Sequence, residues 1–187
     1  MRLWTIQKLE VMESLERDGV YRMNTELCEN HEFFDAYNWL NKHLEQKDSK
    51  PKNVSYPIWA WYRYNKKEKK PDLRESGYEK RGTKCVCLEL EVPDEQVLLS
   101  DFNNWHYVLN DSWFDDSNNE EEWEALHNEY DKLSRSEKES LKIKSWDKIF
   151  DIELVENDWN GHGEYIQAVF WELKKEYVKK VQFFTAR

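Results

Sequence analysis

Apolar residues recur along this chain with two different periods, and the clearest stretch is residues 164–173, Glu-Tyr-Ile-Gln-Ala-Val-Phe-Trp-Glu-Leu. It follows the turn Asn160-Gly161-His162-Gly163. Its β-branched and aromatic content, and its length, predict a strand. Alternation puts Gln167, Val169 and Trp171 on one face and Ile166, Ala168 and Phe170 on the other. Both faces are largely apolar, as in a strand covered on two sides. Gln167 is the polar exception, either an amide satisfied in the core or a residue lining a cleft.

The same reading applied upstream predicts a strand over residues 3–7, with Leu3, Thr5 and Gln7 on one face and Trp4 and Ile6 on the other. A helix follows over 8–18, where Val11, Met12 and Leu15 repeat at helical spacing and Gly19 suits the position after its end. A second helix is expected from an Asn30 cap to about Gln46, with Phe33, Phe34, Tyr37, Leu40 and Leu44 as its apolar stripe. His31 and His43 fall at the ends of that helix and are expected in solvent. Residues 56–64 read as an aromatic strand with Trp59 and Trp61 on one face and Pro57 at its start.

Residues 83–92 alternate as a strand, and Val97-Leu98-Leu99-Ser100 leads into Asp101-Phe102-Asn103-Asn104-Trp105-His106. That loop gathers an acid, two amides, a Trp and a His after a strand end, a common place for functional groups. It also fits a helix start, capped by Asp101 or Asn103, with Trp105, Val108 and Leu109 packing inward. An acidic run, 111–124, merges into a helix bearing Trp123, Leu126, Tyr130 and Leu133, its acids favoured by the helix dipole. Ser134-x-x-Glu137 is a capping-box pattern, and residues 145–150 are expected to open one more helix. Residues 177–184 read as a strand forming a terminal hairpin with residues 164–173. Helices interspersed with strands predict one α+β domain over 1–187, with a mixed or antiparallel sheet and flanking helices.

Composition narrows the possibilities. A chain of 187 residues can bury a substantial core within one domain. Its 28 basic and 38 acidic residues give a net charge of −10, so it has no global attraction for nucleic acid or anionic membrane. The one basic cluster is Lys66-Lys67-Glu68-Lys69-Lys70-Pro71, either a solvated loop or a phosphate contact. It follows an aromatic strand, and stacking beside positive charge is how single-stranded nucleic acid is held. Ten Trp, 10 Tyr and 8 Phe argue against disorder. That is more tryptophan than a core of this size requires, so some are expected in a concave site.

Three cysteines, Cys28, Cys85 and Cys87, form no even disulfide framework, and the Cys85-x-Cys87 pair reads as buried thiols rather than metal ligands. The start of the chain has no signal-peptide pattern, and no apolar run approaches the ~20 residues of a membrane span. The expectation is a cytoplasmic protein with no membrane partner. No phosphate-binding glycine loop, His-Glu-x-x-His or Cys-x-x-Cys signature, or Gly-x-Ser-x-Gly elbow is present.

Leu3-Trp4-Thr5-Ile6-Gln7, Ile58-Trp59-Ala60-Trp61, Leu98-Leu99-Ser100-Asp101-Phe102 and Ile166-Gln167-Ala168 together resemble a small bacterial family of unknown function, over nearly the whole chain. The layout is also distantly similar to the ADP-ribosyltransferase fold, especially its nucleic-acid-targeting toxin branch. That resemblance implies NAD as substrate and a nucleic-acid or protein acceptor. It also implies a place in a toxin or phage-defence system, with a cognate inhibitor protein. The first-strand nicotinamide-site residue would fall on Thr5 or Gln7, and the second-strand aromatic on Trp59 or Trp61. On the late strand, Gln167 lies beside the catalytic position, but the Glu of the toxin branch's Gln-Ala-Glu pattern lands on Val169. Glu172 faces away from Gln167, and Glu164 is three residues distant.

On this reading Trp59, Trp61 and Trp105, with Thr5 and His106, form the NAD site. Gln7 and Gln167 bind ribose or carboxamide, Asp101 supplies the missing acid or base, and Lys66, Lys67, Lys69 and Lys70 contact the acceptor. Two rival readings come from other classes. One is a non-catalytic nucleotide- or partner-binding module on the same fold. The other is an acidic interaction protein that uses 111–124 as its contacting face.

Overall fold

The computed structural model describes residues 1–23, 33–156 and 158–187. The expected Asn30 cap, His31 and Cys28 lie outside the described residues.

Strand β1 (Arg2–Lys8) runs directly into helix α1 (Leu9–Asp18), one residue later than its periodicity suggests. Val11 and Leu15 are the buried positions of α1, and Gly19 ends it at φ 75°, donating its N–H to the Leu15 carbonyl. A left-handed residue there satisfies an otherwise orphaned carbonyl at little steric cost, because glycine has no Cβ. A two-residue strand β2 (Val20–Tyr21) follows.

Helix α2 (Phe34–Glu45) buries Leu40 and Leu44 as its spacing predicts, but Phe34 is exposed. His43 is not a solvated end residue: its ring lies 4.3 Å from Trp39 and 4.9 Å from Phe150, centroid to centroid. Strands β3 (Ile58–Arg63), β4 (Lys84–Glu91) and β5 (Leu98–Asp101) follow. Helix α3 (Phe102–Leu109) begins at Asp101, whose side chain accepts from the Asn104 N–H. Helix α4 (Glu120–Asp131) is capped by Asn119 and has no buried residue. Helix α5 (Arg135–Trp146) opens on the Ser134/Glu137 capping box. It passes straight into a 3₁₀ turn, Asp147–Phe150, so the separate helix expected at 145–150 is the tail of this one. The chain closes with β6 (Ile166–Phe170), β7 (Leu173–Lys174) and β8 (Val178–Thr185).

Six strands form one sheet in the order β5-β6-β3-β1-β4-β8, while β2 and β7 form a small second sheet. Every strand pair is antiparallel. The expected terminal hairpin does not form: β8 crosses the molecule to pair with β4 at the edge opposite β5. The fold is therefore α+β, built on an antiparallel sheet.

The register decides which residues share a face. Ser100 pairs with Gln167, Gln167 with Trp61, and Trp61 with Trp4, a continuous row across four strands. Directly opposed residues of antiparallel strands project to the same side. One face therefore carries Trp4, Ile6, Trp59, Trp61, Gln167 and Val169; the other carries Leu3, Thr5, Gln7, Ala60 and Ala168.

Each face has its own core. On the Leu3 side, α1 contributes Val11 and Leu15 to a cluster with Ile58, Val86, Leu88 and Phe170. On the Val169 side, Leu40 and Leu44 of α2, Trp105 and Val108 of α3, and Trp146 of α5 pack with Trp171. That is the double coverage the apolar faces of residues 164–173 call for. Cys85 and Cys87 are buried free thiols, and burial pushes the Cys87 thiol up to about 11. Among the described residues, no helix is long and apolar enough to cross a membrane.

Candidate functional site

The helices on the Val169 side cover the sheet over β5 and β6, and an opening remains over β3 and β1. A cleft of about 480 Å³ lies there, with Trp59, Trp61, Ile6 and Gln167 on its sheet side. Phe102 and Asn103, from the start of α3, form one wall, and Tyr165 lies just before β6. Tyr64, Glu75, Ser76, Gly77 and Tyr78, from the loop between β3 and β4, form the other.

Trp61 is the centre of this arrangement. Its ring meets Tyr64 at 5.1 Å, Phe102 at 5.2 Å and Tyr165 at 6.5 Å, all edge to face. Edge-to-face packing matches the positive ring edge to the negative face of its neighbour and holds each plane in a fixed orientation. Trp59 leads from the cleft to the buried Trp105, 5.5 Å away, and to Tyr37 at 6.1 Å. Gln167 is half-buried on the cleft wall. Its carboxamide makes no hydrogen bond among the described residues, so it is not a satisfied core amide.

Local structure explains how the walls are held. Asn65 and Lys66 both have positive φ, 50° and 64°, and Tyr64 N–H donates to the Lys67 carbonyl at 2.8 Å. This is the geometry of a tight hairpin turn with two left-handed central residues. It takes the chain from β3 into the wall loop. The turn is tied to the strand opposite by Lys66 N–H to the Glu164 carbonyl at 2.8 Å and by a Lys66–Glu164 ion pair at 2.9 Å.

On the other wall, Asp101 accepts Asn104 N–H at 3.0 Å and Gly163 N–H at 2.7 Å. Phe102 N–H donates to the Tyr165 carbonyl at 2.9 Å. Burial raises the Asp101 carboxyl above the ordinary range, and the two amide donors oppose that shift. Gly163 has φ 77°, and a Cβ there would stand 2.3 Å from the Glu153 carbonyl oxygen, so only glycine fits this crossing.

The loop carries the one carboxylate that lines the cleft among the described residues. Glu75 accepts from the Tyr64 hydroxyl through a short hydrogen bond and from the Tyr78 hydroxyl at 3.5 Å, both on Oε2. Burial and the carboxylate push the Tyr64 phenol above its ordinary range, and burial foremost does the same for Tyr78. Both phenols therefore remain donors. Tyr64 and Glu75 also line a second cavity, of about 460 Å³, with Lys69, Lys70, Gln182 and the ion-paired Arg74 and Asp72.

A sequence profile described as Domain of unknown function (DUF3841) matches residues 2–179. The chain belongs to this family. No curated protein and no solved structure gives a significant match to it. Within this DUF3841 chain, the residues singled out by sequence separate cleanly. Trp59, Trp61 and Gln167 are brought together in the cleft. Thr5 and Gln7 lie on the opposite face of the sheet: Thr5 is fully buried, donating to the Trp59 carbonyl at 2.7 Å and accepting from Gln7 at 2.7 Å. Trp105 is a core residue, and Asp101 is a buried helix cap with both oxygens engaged. His106 is exposed on α3, with Nδ1 2.9 Å from the Phe102 carbonyl.

The basic cluster is divided. Lys69 and Lys70 line the second cavity, whereas Lys66 and Lys67 form the hairpin turn. The two carboxylates near Gln167 in sequence are both ion-paired, Glu164 to Lys66 and Glu172 to Arg22. The sequence carries no sign of Glu75 and Tyr78, because an aperiodic loop does not show which side chains it turns inward; Tyr64, expected at the end of the aromatic strand, lies just past it. No group of three or more His, Cys, Asp or Glu among the described residues is placed to hold a metal ion.

Proposed function

We propose that the aromatic cleft binds NAD and that the chain acts as an ADP-ribosyltransferase-like enzyme. One observation carries this reading: Trp61 and Gln167 are register partners on neighbouring strands, and both line one cleft. A planar nicotinamide or adenine ring stacks against indole, an interaction worth about 1–3 kcal/mol per base. A carboxamide offers both a donor and an acceptor to ribose hydroxyls or to the nicotinamide amide. The similarity stated from sequence adds the order of strands. It expects a first strand, an aromatic strand and a late Gln-bearing strand around the nucleotide, and β1, β3 and β6 are neighbours.

The chemistry asked of the site is cleavage of the bond between ribose C1′ and the nicotinamide nitrogen. The pyridinium leaves as neutral nicotinamide with the bonding pair, and C1′ passes through an oxocarbenium-like state. Water or an acceptor nucleophile then adds at C1′ and loses a proton. Aromatic walls at edge-to-face angles fix the orientation of the ring. Lys69 and Lys70, in the cavity that shares Tyr64 and Glu75 with the cleft, suit an anionic acceptor.

A second reading has its own support. The position of the toxin branch's Glu is Val169, which is fully buried in the core. A site without that carboxylate could bind NAD and leave it intact. The two readings part on nicotinamide release, measured by mass spectrometry with purified protein and NAD, beside Gln167→Ala. Release that falls at least tenfold in the variant, with thermal stability retained, supports the enzyme. Thermal stabilisation by NAD with no release supports the binding module.

A further inference from the structure

We propose that Glu75 is the catalytic carboxylate of this cleft, acting from the loop between β3 and β4 in place of a strand glutamate. The inference rests on NAD being the ligand and names the group that would oppose the developing positive charge at C1′.

Elimination and geometry point to the same side chain. Asp101 is fully buried, holding two backbone amides, and does not line the cleft, so a substrate there has no access to it. Glu164 and Glu172 are committed to Lys66 and Arg22. Among the described residues Glu75 is the one acidic residue that lines the cleft, and it does so from the wall beside Trp61's neighbour Tyr64. Its Oε2 takes both tyrosine hydroxyls, and among the described residues its Oε1 accepts no hydrogen bond. One oxygen is thus anchored while the other keeps its lone pairs for a ligand.

Anchoring matters to the chemistry. A carboxylate stabilises a transient cation in proportion to how well its position is fixed beforehand, since a fixed group costs no reorganisation during the reaction. The two phenols hold Glu75 without neutralising it, as a salt bridge to lysine would. As the C1′–N bond breaks and its electron pair leaves with nicotinamide, the Glu75 carboxylate faces the oxocarbenium. When water adds at C1′, its proton passes to that carboxylate and then to solvent. The sum is NAD⁺ and water giving ADP-ribose, nicotinamide and a proton.

Glu75 also borders the lysine-bearing cavity. That is the side from which a nucleophile would approach, and it suits a group that both faces the cation and receives the nucleophile's proton.

The test compares wild type, Glu75→Gln and Glu75→Asp for nicotinamide release from NAD in water, and for the thermal shift caused by NAD. Glu75→Gln keeps the shape and loses the charge. The expected result is release reduced at least a hundredfold with the NAD-induced shift retained, and partial recovery in Glu75→Asp, since removing one electrostatic stabiliser costs about 10²–10³. Wild-type release by Glu75→Gln overturns the proposal while leaving NAD binding intact. A wild type that binds NAD and releases nothing also overturns it and favours the binding module. No NAD shift in any of the three proteins removes the underlying reading itself.

Discussion

Asp101 ties the first turn of α3 to the Gly163 loop, with one carboxylate oxygen on each. Asp101→Ala removes a helix cap worth about 1 kcal/mol and leaves the Gly163 amide without its partner, at about 1–3 kcal/mol. A loss of about 2–4 kcal/mol in urea denaturation is expected, and unchanged stability would contradict the capping role. Gln167 was legible as a residue of interest because it breaks an apolar alternation. Its carboxamide is on the cleft wall because its face of β6 is left uncovered over β3, which only tertiary packing decides. Thr5 and Gln7 mark the opposite case. Period two separated them correctly from Trp4 and Ile6, but only the pairing of Trp4 with Trp61 tells which set faces the cleft.

At the level of elements, local signals proved dependable where the physics is local. The Gly19 end of α1, the Asp101 start of α3 and the Ser134/Glu137 box of α5 are all present. The box carries a pH dependence. The Ser134 hydroxyl and N–H hold the Glu137 carboxyl below its ordinary value of 4.5. A depressed carboxyl contributes fully above that ordinary value and loses its contribution as pH falls through the lower folded value. Amide exchange in the first turn of α5 should therefore accelerate below about pH 4.5 relative to its last turn, and Glu137→Gln should remove that difference. Pairing partners are not set locally. Alternation alone makes residues 177–184 the hairpin mate of the preceding strand, but the intervening β7 joins β2, and β8 completes the far edge beside β4.

For the whole molecule, the consequence of strand order is that β1, β3 and β6 lie side by side with an uncovered aromatic surface between α3 and the β3–β4 loop. Glu75 and Tyr78, in the loop half of the site, have no periodic signature, and only the fold sets that loop, through Tyr64, against Trp61. The acidic balance of the chain fits a confined cationic patch at Lys69 and Lys70 better than a broad nucleic-acid surface.

NAD in this cleft is the proposed ligand, and calorimetric titration of the purified protein with NAD, beside Trp61→Ala, measures its binding. Saturable binding at one site per chain, weakened about 5- to 150-fold in the variant, is the predicted result, from the ~1–3 kcal/mol of one stacked ring. Absence of binding to the wild-type protein, or equal affinity in Trp61→Ala, would rule out NAD as a ligand stacked on Trp61.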